Sequence, residues 1–367
     1  MSTMKALVAN HHILARVGSL ATGKSFGGSG VEVADIPKPT ISPKQLLVKI
    51  HEVALNPTDY KHIDVLSPPG SIIGCDYAGE VVQVGSGVPS GWSVGDRVAG
   101  VVHGGLYPDR GAFAEFAKVD AELAWKIPEG VSDTDATTFG VSAITAMQAL
   151  CLRHGLVFPG EAPPALPAGQ EKPVVFIYAG STSAGLFTTQ VAKLAGCTVV
   201  VTASPHSFDV VKSYGADAAF NYRDPNVVAD IVKQYPNVSL AVDCFSEGQS
   251  FGICDGVLKN AGGKLIALLQ PPKPKYSNVT HDFILAYTLI GDAFEWLPPI
   301  GPKFAAIPED RKGLVRFYGD LPELVRNKVL RPLPTYPEEA RGFDGIMAGL
   351  DKLRSGKGPA GKIVVRM

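Results

Sequence analysis

Beyond residue 173, short apolar runs alternate with segments whose apolar positions recur every three or four residues. Val174–Tyr178, Thr198–Thr202, Ala218–Tyr222, Leu240–Phe245 and Lys264–Leu269 are too continuously apolar to keep one face in water, which predicts strands buried on both faces. Between them, Phe187, Val191, Leu194 and Ala195 mark one face of a helix. A second helix is entered at Ser207 and stops at Gly215. Val228, Ile231, Val232 and Tyr235 mark a third, and Phe251, Cys254 and Leu258 a fourth that ends at Gly262-Gly263. Strands and helices in strict alternation predict an α/β, doubly wound parallel sheet.

The first 140 residues read differently. Met4–Val8, Leu46–Leu55, Gly74–Val84, Gly95–Val98 and Gly111–Val119 are short, roughly alternating strands broken by Gly and Pro, the pattern of a small irregular β-barrel. A helix is predicted over Ser132–Leu152, a proline-rich surface insertion over Val157–Pro173, another helix over Lys312–Asn327 and a last strand over Lys362–Arg366. Gln270 to Asp310 gives no clear pattern.

Length and charge narrow the function. The 367 residues suffice for two domains with their own cores. A net charge of −1 gives no polybasic surface for nucleic acid or anionic membrane, and no apolar run reaches the roughly 18 residues of a membrane span. The start, MSTMKALVANHH, shows neither signal nor transit pattern. Cys75, Cys151, Cys197, Cys244 and Cys254 are an odd, scattered set, expected to be reduced thiols; the expected location is cytoplasmic.

The turn after the first parallel strand, Ala179-Gly180-Ser181-Thr182-Ser183-Ala184-Gly185, stands where such a fold holds a dinucleotide pyrophosphate on backbone N–H groups. Its glycine pattern is degraded, and alone it is explained equally by a structural strand–helix turn. The end of the second parallel strand says more. An NAD site places a carboxylate there, about 20 residues after the glycine turn. This chain has Ala203-Ser204-Pro205-His206-Ser207, with Asp209 already inside the next helix. Hydroxyls at Ser204 and Ser207 and positive charge at His206 or Lys212 suit a 2′-phosphate, so NADPH is expected; Ser207 also suits a helix cap. A metal is not expected. No C-x₂-C or H-E-x-x-H spacing occurs, and Cys75 and Asp76 are strand neighbours that point to opposite faces.

Ala54-Leu55-Asn56-Pro57-Thr58-Asp59, Gly74-Cys75-Asp76-Tyr77-Ala78-Gly79-Glu80-Val81, Gly95-Asp96-Arg97-Val98, Gly111-Ala112-Phe113-Ala114-Glu115 and Gly361-Lys362-Ile363-Val364-Val365 together resemble the medium-chain dehydrogenase/reductase superfamily. The resemblance implies a GroES-like catalytic domain over 1–140, completed by 312–367, and a Rossmann NADPH-binding domain over 141–311. Cys75-Asp76 in place of the family's Gly-His-Glu histidine and glutamate, with Asn56 to Asp59 where zinc members carry a ligand cysteine, places the chain in the zinc-free branch. Asn56-Pro57-Thr58-Asp59, Gly180-Ser181-Thr182, Ser204-Pro205-His206-Ser207-Phe208-Asp209, Asn221-Tyr222-Arg223 and Trp296 with Pro298-Pro299 are most similar to the fungal trans-acting enoyl reductases of polyketide synthases, the lovastatin enoyl reductase-like and ToxD-like proteins.

What that resemblance implies is an NADPH-dependent reduction of an activated C=C bond in an enoyl thioester or enone. A quinone reductase or a non-catalytic NADPH-binding protein are the alternatives. Lys61 and Thr145 match active-site positions, Lys61 to orient substrate or feed a proton and Thr145 to contact the nicotinamide amide or substrate carbonyl. Otherwise they are a surface lysine and an ordinary helix threonine. The cofactor side draws on Asn56, Pro57, Thr58, Asp59, Ser181, Thr182, Ser183, Ala184, Ser204, Pro205, His206, Ser207, Tyr222, Leu268, Leu269, Lys362 and Ile363. The substrate side draws on Phe139, Gly140, Val141, Ser142, Ala143, Ile144, Thr145, Ala146, Leu289, Ile290, Gly291, Asp292 and Ala293. An acyl carrier protein is the implied partner. The Pro271–Lys275 run beside the fifth strand opposes edge pairing, so a monomer is expected.

Overall fold

The computed structural model describes residues 2–22, 29–167, 169–298 and 300–367; Ala168 of the proline-rich insertion and Pro299 lie outside these. The chain forms two compact units. Met1–Val141, Tyr287–Arg326 and Pro334–Met367 make the first, Ser142–Ala286 and Asn327–Leu333 the second.

The first unit opens with β1 (Thr3–Ala9), α1 (Ile13–Thr22) and β2 (Val31–Pro37), the two strands pairing antiparallel. β3 (Gln45–Ala54), α2 (Pro57–Lys61), β4 (Asp76–Val84), β5 (Arg97–Val101), β6 (Phe116–Asp120), β7 (Ala124–Lys126) and α3 (Asp133–Thr137) follow. The helix expected over Ser132–Leu152 is broken: α4 (Val141–Met147) starts afresh after Thr138-Phe139-Gly140 and runs into a wider π turn at Gln148–Arg153. The break has a cause. The Asp76 carboxylate lies where a side chain on Gly140 would go, and it accepts the Val141 N–H at 2.8 Å, so it caps the new helix.

The second unit continues with β8 (Val174–Tyr178), α5 (Ser183–Leu194), β9 (Thr198–Ala203), α6 (Phe208–Ser213), β10 (Ala218–Asn221), α7 (Val227–Gln234), β11 (Leu240–Asp243), α8 (Ser250–Leu258), β12 (Gly263–Ala267) and β13 (Val279–Phe283). Its six strands lie in the order β10-β9-β8-β11-β12-β13, every pair parallel. This is the Rossmann order, reversing beside β8 so that the ligand crevice opens at the carboxyl end of that strand. Phe176, Val200, Ile231, Ala241, Val257 and Leu265 fill its core. β13 falls in the stretch without a clear pattern, because only Val279 of its five residues is buried and it reads as polar. Its presence corrects the argument from Pro271–Lys275, which joins two strands instead of bordering the sheet.

The chain then returns to the first unit with β14 (Phe294–Glu295), β15 (Lys303–Phe304), α9 (Pro308–Arg326), β16 (Thr335–Pro337), α10 (Gly342–Arg354) and β17 (Lys362–Arg366). The structure therefore groups residues 287–311 with the first unit, not with the Rossmann unit. One sheet runs β16-β17-β3-β4-β5-β7, with β6 joined to β3. Leu46, Val48, Val53, Tyr77, Val81, Phe113, Ile346 and Ile363 close its core. Gly74 turns the chain into β4 at φ +94, and the Phe113 ring fills the space any side chain there would need.

Candidate active site

In the first unit, sheet register assembles a buried polar cluster. β17 runs antiparallel to β3 with Val364 opposite Ala54, and β4 pairs on the other side with Asp76 also opposite Ala54. Stepping two residues outward places Lys362 level with Asn56. The Lys362 ammonium bonds to the Asn56 side-chain oxygen and, at 2.8 Å, to Asp76, and Asn56 donates to Asp76 at 2.9 Å. Lys362 is 1% exposed and Asp76 0%, so this is a fully desolvated ion pair that survives by its geometry and added hydrogen bonds. Ile363 is buried beside it. These contacts already engage Lys362, and its ammonium neutralises the carboxylate that a metal site would need.

Asn56 precedes α2, whose first residue, Pro57, suits a helix start; Asp59 accepts the Asn56 N–H at 2.8 Å. Burial, then the neighbouring Asp76 charge, pushes the Asp59 carboxyl up to about 7, against the opposing pull of the Asn56 N–H and of Lys362. The folded chain thus holds this proton more tightly than an unfolded one. The resulting stabilisation is fully present below about pH 4 and is lost as the pH rises through 7, on the order of 4 kcal/mol. Asp59→Asn is expected to flatten stability between pH 4 and 8 in denaturant titrations; an unchanged slope would contradict the role of Asp59.

Beside this cluster, the Thr58 hydroxyl lies 2.8 Å from the Tyr287 hydroxyl and 3.3 Å from His62 Nδ1. His103 stacks on Tyr287 at 4.1 Å, and Phe294 and Trp296 meet the same ring edge-on. Burial depresses His62 to about 4, and His103 well below the ordinary histidine range, so both rings are neutral at pH 7. Lys61 ends α2 half-buried. Phe139, Gly140 and Val141 form the break before α4. Leu289 and Ile290 are buried in the single turn Ala286–Ile290, Gly291 follows at φ +90, and Asp292 and Ala293 are exposed, Asp292 3.5 Å from Arg110.

The second unit holds the other expected residues. Ala179 takes φ +59, the left-handed conformation usually left to glycine, and so makes the tight turn after β8. Gly180 lies against Val201 and Gly185 against the Ala179 carbonyl, leaving no room for side chains. Thr182 caps α5: its hydroxyl accepts the Gly185 N–H at 3.0 Å and donates to the Ala179 carbonyl at 2.9 Å. Its hydroxyl is thereby structural, whereas Ser181, Ser183 and Ala184 are part-exposed around the helix start. Ser142, Ala143, Ile144, Thr145 and Ala146 are buried along α4, Thr145 at 7% exposure. Leu268 and Leu269 lie just past β12, and the Leu268 N–H donates to Ser246 at 2.9 Å.

At the end of β9, Pro205 and His206 are exposed and Ser207 is buried without making the expected side-chain cap. Arg223, which the sequence offers only as part of the family resemblance and not as a cofactor residue, also stands here. Parallel pairing sets Asn221 opposite Ala203, which carries the chain after β10 alongside Ser204. Arg223 donates to the Ser204 hydroxyl at 3.2 Å, and its guanidinium lies 4.5 Å over the Tyr222 ring. A cation and a hydroxyl, with no carboxylate in the residues directly after β9, fit a 2′-phosphate. Tyr287, His62 and His103 were missed in the sequence reading. His62, one turn after Thr58, is the only one the local spacing could have suggested.

Among the described residues no three His, Cys, Asp or Glu side chains group as metal ligands, all five cysteines are free and buried, and no helix is long and apolar enough to cross a membrane.

Comparison with known proteins gives a consistent picture. Residues 42–129 match the alcohol dehydrogenase GroES-like domain and 184–278 the zinc-binding dehydrogenase domain. A trans-enoyl reductase of Aspergillus sclerotiorum is 36% identical over 356 residues, covering 93% of this chain and 98% of the relative. One of Cochliobolus carbonum is 39% identical over 265 residues, 71% of this chain and 87% of the relative. A mycobacterial protein solved in complex with NADPH superposes with a TM-score of 0.71 over 99% of this chain and 100% of its own, at 20% identity, a likeness of fold.

Proposed function

This chain belongs to the medium-chain dehydrogenase/reductase superfamily, together with the fungal trans-enoyl reductases, and from that premise we propose that it is an NADPH-dependent, zinc-independent enoyl reductase. Its substrate is an activated C=C bond, an enoyl thioester carried by the acyl carrier protein of a polyketide synthase. The observation that carries this reading is the 36% identity to a trans-enoyl reductase over nearly both full lengths. The Arg223–Ser204 pair, with no carboxylate in the residues directly after β9, supports NADPH over NADH.

Bound NADPH supplies the hydride that reaches the β-carbon of the substrate. The residues present supply position and charge. Ser181, Ser183 and Ala184, at the start of α5, would hold the pyrophosphate through backbone N–H groups and the helix dipole. Ser204, Arg223 and Tyr222 would hold the adenosine end. In the first unit, Asn56, its side chain fixed between Lys362 and Asp76, and Thr58 are preorganised polar groups that would serve the nicotinamide; in the second, Leu268 and Leu269, just past β12, would serve the nicotinamide ribose. Thr145 contacts the substrate carbonyl or the nicotinamide amide, and Lys61 orients the substrate or feeds the proton taken up at the α-carbon.

The test is NADPH oxidation, followed by absorbance, with a crotonyl thioester, a small enone and a quinone, and NADH as the cofactor control. Turnover of the thioester or enone is expected. Quinone-only turnover would make it a quinone reductase, and tight NADPH binding without turnover a non-catalytic binder. Lys61→Ala and Thr145→Ala are each expected to lower kcat about 100-fold, the lower end of the range for losing a positioned acid–base or polar group. Wild-type rates in both would remove them from the mechanism.

A further inference from the structure

We infer that Tyr287 is a positioning residue for this reaction: its phenol fixes the Thr58 hydroxyl as an outward-directed hydrogen-bond donor to the carbonyl oxygen of the bound enoyl group. The inference rests on the enoyl-reductase reading for its substrate and on the first unit alone for its geometry.

The hydrogen-bond order follows from which atoms can only accept. His62 Nδ1 lies 2.9 Å from the Thr58 backbone carbonyl, which has no hydrogen to give. The His62 hydrogen therefore sits on Nδ1. That nitrogen, 3.3 Å from the Thr58 hydroxyl and 3.5 Å from the Tyr287 hydroxyl, can accept from neither. Tyr287 has two remaining neighbours, the Thr58 oxygen at 2.8 Å and the Cys75 sulfur at 3.5 Å. A neutral thiol is a weak acceptor, so the phenol hydrogen goes to the nearer oxygen. Thr58 Oγ1 then accepts the phenol hydrogen, and its own hydrogen is turned away from Tyr287 and His62.

Burial gives that hydrogen its direction. Cys75, His62 and Tyr287 are 1%, 1% and 6% exposed. Thr58 is the one half-buried member of the set. A hydroxyl that accepts one hydrogen bond donates a stronger one, an advantage that is largest away from water. The Tyr287 ring cannot drift, since His103 stacks on it and His62, Phe294 and Trp296 meet it edge-on. Negative charge that develops on the substrate carbonyl oxygen when the β-carbon takes up hydride would meet a donor already aimed, with no reorganisation left to make.

The experiment is a double-mutant cycle on the full chain with NADPH and saturating crotonyl thioester. Thr58→Val is expected to lower kcat about 100-fold, the lower end of the range for losing one oxyanion donor, and Tyr287→Phe about tenfold, because the donor remains but is misaimed. Because Tyr287 acts only through Thr58, the double variant is expected to be no slower than Thr58→Val alone. NADPH affinity, read by fluorescence titration, is expected to stay within twofold in Tyr287→Phe, and Thr58→Ser to retain most of the wild-type rate. Losses that multiply, a Tyr287→Phe rate within twofold of wild type, or a loss that follows weakened NADPH binding would each overturn the inference. Should Tyr287→Phe not fold, 3-fluorotyrosine at position 287 keeps the ring and changes only donor strength; an unchanged kcat would then overturn it. Independently of any substrate, the nitrogen-15 NMR signals of His62 are expected to show hydrogen on Nδ1. Hydrogen on Nε2 would overturn the bonding order, whereas a wild-type chain inert to every enoyl substrate would sink the enoyl-reductase reading and leave that spectrum unaffected.

Discussion

Lys362→Met is expected to destabilise the folded chain by about 3–5 kcal/mol, the usual consequence of removing one member of a buried ion pair. The Asp76 carboxylate would remain fully buried at 0% exposure with its cationic partner gone. Asp59 would lose one of the groups that oppose its upward shift and would hold its proton to still higher pH. Methionine matches the lysine stem in length, so the loss reads charge and hydrogen bonds more than volume. Adding Asp76→Asn should recover part of the stability, since an amide oxygen still accepts the Val141 N–H and the uncompensated charge is removed. Denaturant midpoints of the two variants decide the matter. A single variant within 1 kcal/mol of wild type, by the same principle, would mean the cluster is balanced differently.

The cofactor end carries the second large effect. Arg223→Ala is expected to weaken NADPH binding about 10- to 100-fold, the equivalent of one charged hydrogen bond of about 1.5–3 kcal/mol, and to leave NADH binding unchanged. The reason is local: the guanidinium is held over Tyr222 and against Ser204, where on the proposed reading a 2′-phosphate, which NADH lacks, would meet it. Ser204→Asp in the same background should then favour NADH, by offering the ribose 2′-hydroxyl an acceptor and repelling the phosphate. Because Arg223 is exposed, the wild-type preference should also shrink as salt is raised. Titrations of both cofactors at two ionic strengths would test this. Equal losses for NADPH and NADH would sink it.

Much of this molecule was legible from residue pattern alone. The alternation of apolar strands and amphipathic helices from Val174 to Leu269 is local, because a strand buried on both faces must be apolar throughout, and the Rossmann sheet follows from it. The missing carboxylate after Ala203 is local as well, and so is the final strand at Lys362–Arg366. The helix predicted over Ser132–Leu152 failed because its break depends on Asp76, a residue 65 positions from the Val141 N–H it caps. β13 escaped because a part-covered edge strand carries no apolar run.

The chain sequence by itself therefore determined the two kinds of architecture, the family resemblance and the residue types at the cofactor end. Only the tertiary structure decided which distant residues meet. Lys362 reaches Asn56 across 306 positions because β17 lies antiparallel on β3. Tyr287 reaches Thr58 across 229, and Arg223 reaches Ser204 because β10 lies parallel to β9. The physical reason is that strand pairing and burial act through the fold. They turn side chains that look ordinary in sequence into a desolvated ion pair, an ordered chain of hydroxyls and a charged cradle.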